Sequence, residues 1–276
     1  MSSVTYSTEN AQYTQLYAVH TLPVNDPVLV PSNANSVDAI VLEAYHSEAW
    51  FNLLWKSEFK QYHDRLFTMA QRTGTPIYIV DVLTTAAGRG FESLAGIGLD
   101  SAGLLLAYDG AKKVRDQMKG GTMSRRQFSK FFTLQSAKVA LGTFLGLHLF
   151  HEWYTTSTGH NPELLARANA VRMHLIPTPQ LELRNSIAAK KIEEYVAPEL
   201  RERLGRKPNI VLVYGAGHSG LKEDLQHQGL RNFYVVLYRA LGFPGIDTTY
   251  LDTVTNLSIG QNGNYVLKHR KTNLFS

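Results

Sequence analysis

The strongest run of apolar positions is Ile210–Tyr214 (IVLVY), the pattern of a strand buried on both faces of an α/β sheet. Gly215 and Gly217 turn the chain sharply after it and deliver His218, and a short helix is expected over Gly220–His227. Gln15–His20, Ala39–Glu43 and Ile77–Val82 read as earlier strands, the last ending near Asp81. Ser47–Arg72 reads as a helix broken by Thr73-Gly74. From Arg89 onward the period changes to that of helices, at Leu99–Met118, Ser124–Trp153, Pro162–His174 and Glu182–Val196. Phe233–Tyr238 reads as a further strand. Tyr250–Leu257 and Asn264–His269, flanking Gly260-Gln-Asn-Gly263, read as a closing hairpin.

This pattern predicts an α/β fold: a split mixed sheet flanked by helices, with a helical insertion. Residues 1–90 and 181–276 would form one domain, interrupted by 91–180. The chain of 276 residues is long enough to bury a sizeable core. It contains no cysteine, which excludes disulfides, thiolate metal sites and cysteine nucleophiles and suits the cytoplasm. The first residues, MSSVTYSTENAQYTQ, do not read as a secretory signal.

The net charge of +5 is uneven: residues 111–130 carry seven cations against Asp116 alone, a net +6. The remainder is near neutral, so the basic balance gives no argument for a nucleic-acid partner. Beyond the cluster lies the mostly apolar run Phe131–Phe150. Lys138, Gln135 and His148 make it a poor bilayer span, since a central lysine costs roughly 2.5–3.5 kcal/mol on insertion. A buried helix is one reading of 131–150. A helix lying on an anionic membrane surface, with 111–150 as the segment that would meet it, is the other.

The chemistry-bearing residues gather at strand ends, where open α/β sheets collect ligands. His20, Glu43 and His218 each follow a predicted strand. Two imidazoles and a carboxylate would make a divalent-metal site or an acid/base pair. His46 lies one turn beyond Glu43 if a helix starts there. Ser219 adjoins His218, but no G-x-S-x-G elbow is present, which argues against a serine hydrolase.

Four elements occur in order: His20 after a strand, Asp38-Ala-Ile-Val-Leu-Glu43, the helical Arg184-Asn185-Ser-Ile-Ala-Ala189-Lys-Lys-Ile192, and Gly215-Ala-Gly-His218. Together they resemble the superfamily containing TraB, Tiki, GumN-like, erythromycin-esterase and ChaN proteins, over roughly 15–45 and 180–240. That family pairs two G-x-x-H motifs with a glutamate and an arginine-bearing helix. Here the second motif is intact, and the first, Tyr17-Ala-Val-His20, lacks its glycine.

The resemblance implies a hydrolase acting on peptide or ester bonds of a peptide or small molecule. His20, Glu43 and His218 would hold a divalent ion (Mn, Co or Zn) or activate water directly. Arg184 would stabilise negative charge and Asn185 orient the substrate, with Glu182 one turn before Asn185. A second expectation is a non-catalytic protein of the same fold that binds haem or another anionic ligand. A third rests on Gly215-Ala-Gly217-His-Ser-Gly220, which fits the G-x-G-x-x-G dinucleotide fingerprint. Arg239, at the end of the next predicted strand, would then suit the 2′-phosphate of NADP.

Overall fold

The computed structural model describes residues 3–18, 36–49, 51–52, 60–160, 163–175, 179–215, 217–243, 245–260 and 262–276. Its strands are β1 (Ser3–Ser7), β2 (Gln12–Ala18), β3 (Ala39–Leu42), β4 (Ile77–Ile79), β5 (Asn209–Gly215), β6 (Thr253–Ile259) and β7 (Tyr265–Lys271). They form one mixed sheet in the order β1-β2-β5-β3-β4-β6-β7. Its centre is parallel, with β5 between β2 and β3 and β4 beyond β3. The flanks are antiparallel: β1 on β2, β6 on β4 and β7 on β6.

The helices are α1 (Lys60–Thr73), α2 (Ala86–Gly120), α3 (Arg125–Leu145), α4 (Leu147–Thr158), α5 (Glu163–Leu175), α6 (Pro179–Lys191), α7 (Ala197–Leu204), α8 (Leu221–Gln226) and α9 (Gln228–Ala240). The chain divides into two compact units, one of residues 1–89 with 177–276 and the other of residues 90–176. No helix among the described residues is long and apolar enough to cross a membrane.

Alternation along the central strands builds two cores. Ile40, Leu42, Val211 and Val213 pack with Leu66, Phe67 and Ala70 of α1 on one face. Val41, Leu212 and Tyr214 pack on the other with Ala188 and Ala189 of α6 and with Ala197 and Leu200 of α7. Burial of both faces explains why these strands read as continuous apolar runs. A single π-helical turn, Ile192–Val196, joins α6 to α7 and keeps Ile192, Glu193 and Val196 all buried. Glu193 there accepts hydrogen bonds from Thr8 Oγ1 at 2.8 Å and from Tyr13, so this buried charge is paired with hydroxyls.

Two expectations need correcting. Phe233–Tyr238 is not a strand but the middle of α9. Apolar runs this short are compatible with either period. In α9 Val235 is buried while Phe233, Val236 and Leu237 face outward. The expected helix 124–153 is two helices broken at Gly146, where a Cβ would stand 2.7 Å from Leu104 Cγ. By contrast, the closing hairpin forms as β6 and β7, and its turn uses Gly263 at φ 76°, a conformation that favours glycine. Strand β1 had no apolar run to announce it. It is an edge strand whose Tyr6 packs into the second core beside Tyr13 while its hydroxyl donates to Gln15.

Candidate functional site

Three strand ends and one helix converge on the face of the sheet that carries α6. Glu43 follows β3, Asp81 lies just beyond β4, and His218 sits in the turn after β5. Helix α6 lays Arg184 and Asn185 across them and, two turns on, Lys191. Adjacent parallel strands bring their carboxyl ends to one edge, so residues far apart in sequence meet there.

His218 is fully engaged. Its Nδ1 lies 2.6 Å from Asn185 Oδ1, and its Nε2 lies 3.0 Å from Glu43 Oε1. An amide oxygen can only accept, so Nδ1 carries the proton and Nε2 is the nitrogen turned to the carboxylate. Gln15 donates to the His218 carbonyl at 3.3 Å, and Tyr214 packs edge-on against the imidazole at 5.1 Å.

Glu43 is held from two sides. Its Oε2 accepts the Gly215 N–H at 2.6 Å, and its Oε1 accepts from Arg184 at 3.2 Å. Arg184 also grips Asp81 with two nitrogens, Nε reaching Oδ1 at 3.2 Å and a terminal nitrogen reaching Oδ2. Such a fork matches a carboxylate plane better than a lysine would. The side chains of His218 and Asp81 are 3% and 4% exposed, against 22% for Glu43 and 18% for Arg184. Solvent therefore reaches the cluster past Glu43 and Arg184.

The structure thus brings together Glu43, Arg184, Asn185 and His218, all anticipated from the sequence. His20 lies outside the described residues. Asp81 was missed as a functional group, although the signal that selected Glu43, a carboxylate just past a buried strand, applied equally to it. Gly215 does not offer its N–H to a phosphate, because Glu43 takes it. Gly217 is buried in the same turn. The dinucleotide expectation also needs a strand beside β5 after the turn. Both neighbours of β5 precede it in sequence, and Arg239 lies on α9, so the required βαβ unit does not form.

Beneath the cluster lie buried groups with altered proton affinity. Lys191 is fully buried and donates to the carbonyls of Val80 and Tyr250, both at 2.9 Å. Burial lowers its pKa to about 7, opposed by the charge of Asp81. Asp224, bonded by Ser186 Oγ at 2.8 Å, is pushed up to about 7, chiefly by burial. Glu182 is also raised by burial, and lies against Gly220, where a Cβ would come 2.5 Å from its Oε2.

His46 is not on a helix continuing from Glu43; it is buried beneath Asp81. Its Nε2–H donates to the Asp81 carbonyl at 2.6 Å and its Nδ1 lies 2.7 Å from Thr255 Oγ1, a hydroxyl able to donate to the neutral ring. Thr255 Oγ1 in turn accepts from His269 Nδ1 at 2.8 Å. Burial, reinforced by the Lys191 charge, lowers the His46 pKa from 6.5 to about 4.

A folded-state pKa below the unfolded one gives stability that is present above pH 6.5 and is lost as pH falls through about 4. The loss is expected to be about 3 kcal/mol. His46→Asn keeps a donor but cannot take up a proton. Urea unfolding of both proteins between pH 7 and 4 is expected to show a smaller loss for the variant, and parallel losses would count against a neutral buried His46.

Three donor atoms, one each from Glu43, Asp81 and His218, lie within 4.8 Å of one another, close enough for one metal ion. Asn185 on His218 Nδ1 is the kind of outer partner that a metal-ligating histidine takes. Arg184 places positive charge between the two carboxylates. No protein-family model, curated protein or solved structure matches this chain.

Proposed function

We propose that this cluster is a hydrolytic centre of the TraB/Tiki/erythromycin-esterase type, acting on a peptide or ester bond. The observation that carries the reading is the oriented imidazole. Asn185 holds the proton on Nδ1, which leaves His218 Nε2 facing Glu43 Oε1 at 3.0 Å. Two such acceptors stand that close when a proton or a cation lies between them. The pair is therefore built to take a proton from water and return it to a leaving group.

Arg184 places positive charge at the open side, where an oxyanion would develop. Asp81 anchors that guanidinium, and Gly215 N–H fixes the second oxygen of Glu43. Glu43, Asp81 and His218 would be the ligands of a divalent Mn, Co or Zn ion, which supplies a water of lowered pKa when bound. The carboxylates facing His218 disfavour the alternative of an anionic ligand such as haem, which would meet like charge. Lack of cysteine fits a cytoplasmic site of action.

The test is a panel of chromogenic esters and quenched peptides, assayed with and without added Mn, Co or Zn. Wild-type protein is expected to turn over at least one class. Glu43→Gln is expected to reduce that turnover by at least about 100-fold, since it keeps the shape and removes the carboxylate that His218 Nε2 faces. Equal turnover by the two proteins, or none by wild type under any metal condition, would count against the reading.

A further inference from the structure

The unit of residues 90–176 has an inverted distribution of polarity. Among its described residues Leu147 is the one apolar side chain that is buried. The other buried side chains are Asp100, Gln135, His151, Asn169 and Arg172. Asp100 and Arg172 form an ion pair at 3.0 Å with side chains 0% and 8% exposed. Outside, Leu105 is 68% exposed and Trp153 61%, and Leu104, Phe128, Phe132 and Leu141 join them on the surface. A water-soluble bundle puts these two sets the other way round.

Helix contact inside the unit runs through small residues. A Cβ on Gly103 of α2 would come 2.8 Å from Gly142 O of α3, and one on Gly110 would come 2.9 Å from Gln135 O. Close backbone approach at glycines, with polar groups inward, is how helices associate when the surrounding solvent is lipid. None of these helices is long and apolar enough to span a bilayer.

Charge identifies the kind of surface. Lys112, Lys119, Arg125, Arg126 and Lys130 are exposed and enter no ion pair among the described residues, within a segment of net +6. A second copy of the chain would oppose this with like charge. The exposed apolar side chains are spread over α2, α3, α4 and α5. That suits a continuous apolar medium better than one partner helix.

We propose that residues 90–176 seat on an anionic lipid bilayer, the apolar side chains entering the acyl boundary and the basic segment meeting the headgroups. This inference is independent of the hydrolytic reading.

The test is flotation of the full-length protein with vesicles of phosphatidylcholine alone or mixed with phosphatidylserine, at low and high salt, beside light scattering without vesicles. Flotation is expected with the anionic vesicles, falling at high salt as screening grows. The exposed-site variant K119E/R125E/R126E/K130E is expected to bind at least about a hundredfold more weakly, with an unchanged circular dichroism spectrum. Absence of flotation on anionic vesicles, equal flotation on neutral ones, or a stable oligomer that withholds the protein from vesicles would each overturn the proposal. Should the variant fail to fold, the salt and lipid dependence of the wild type still decides it.

Discussion

If the cluster is the hydrolytic centre proposed above, His218→Ala is expected to lower turnover by about 10²–10⁴-fold, the usual contribution of a positioned general base. The more searching variant is Asn185→Ala. Asn185 is buried and fixes which ring nitrogen of His218 carries the proton. Without it the imidazole can turn or change tautomer, so kcat is expected to fall by about 10–100-fold while KM stays nearly constant. Asn185→Asp restores an acceptor for Nδ1–H and is expected to recover most of the loss. Steady-state kinetics on the three proteins would separate orientation from packing. If Asn185→Asp is as impaired as Asn185→Ala, the hydrogen bond to His218 is not what the reaction needs.

Which parts of this site could be read from the sequence follows from what each signal depends on. β5 announces itself because five consecutive apolar residues need two covered faces, and α6 and α1 provide them. Glu43 and His218 follow buried strands, a local feature that any reader of periodicity meets. Arg184 and Asn185 came from motif order, since nothing local distinguishes one helical arginine from another.

Asp81 carries the same local signal as Glu43, a carboxylate just past a buried strand; what the chain order does not show is its contact with Arg184, 103 positions away. His46 is similar: its neutral state is set by burial and by the Lys191 charge, and neither Lys191 nor Tyr250, stacked on its ring at 4.6 Å, is a local neighbour. Phe233–Tyr238 failed for the opposite reason. Its six residues carry too little periodic information, and the half-buried surface of α9 accepts Phe233 and Val236 on its outer side. The inverted polarity of residues 90–176 was hidden likewise, since an apolar helix reads the same whether protein or lipid surrounds it.

The largest stability effect is expected at Arg184, because it serves two carboxylates at once. Arg184→Met leaves Asp81, 4% exposed, without its counter-charge and leaves Glu43 dependent on Gly215 N–H and His218. Breaking a buried pair from one side costs about 3–5 kcal/mol. The partial exposure of Glu43 and of the guanidinium itself places the expectation near the lower end, about 3 kcal/mol. Arg184→Lys keeps the charge but loses the two-nitrogen grip on Asp81, and is expected to cost about half as much.

The decisive comparison is the double variant Asp81→Asn/Arg184→Met. It removes the buried charge together with its partner, so it is expected to be more stable than Arg184→Met alone. Urea midpoints at constant m-value measure all of these. A loss below about 1 kcal/mol for Arg184→Met would mean that water already solvates Asp81. In that event the guanidinium would be free to leave the carboxylates, and the three donors of Glu43, Asp81 and His218 would be better described as a cation site than as an arginine-closed one.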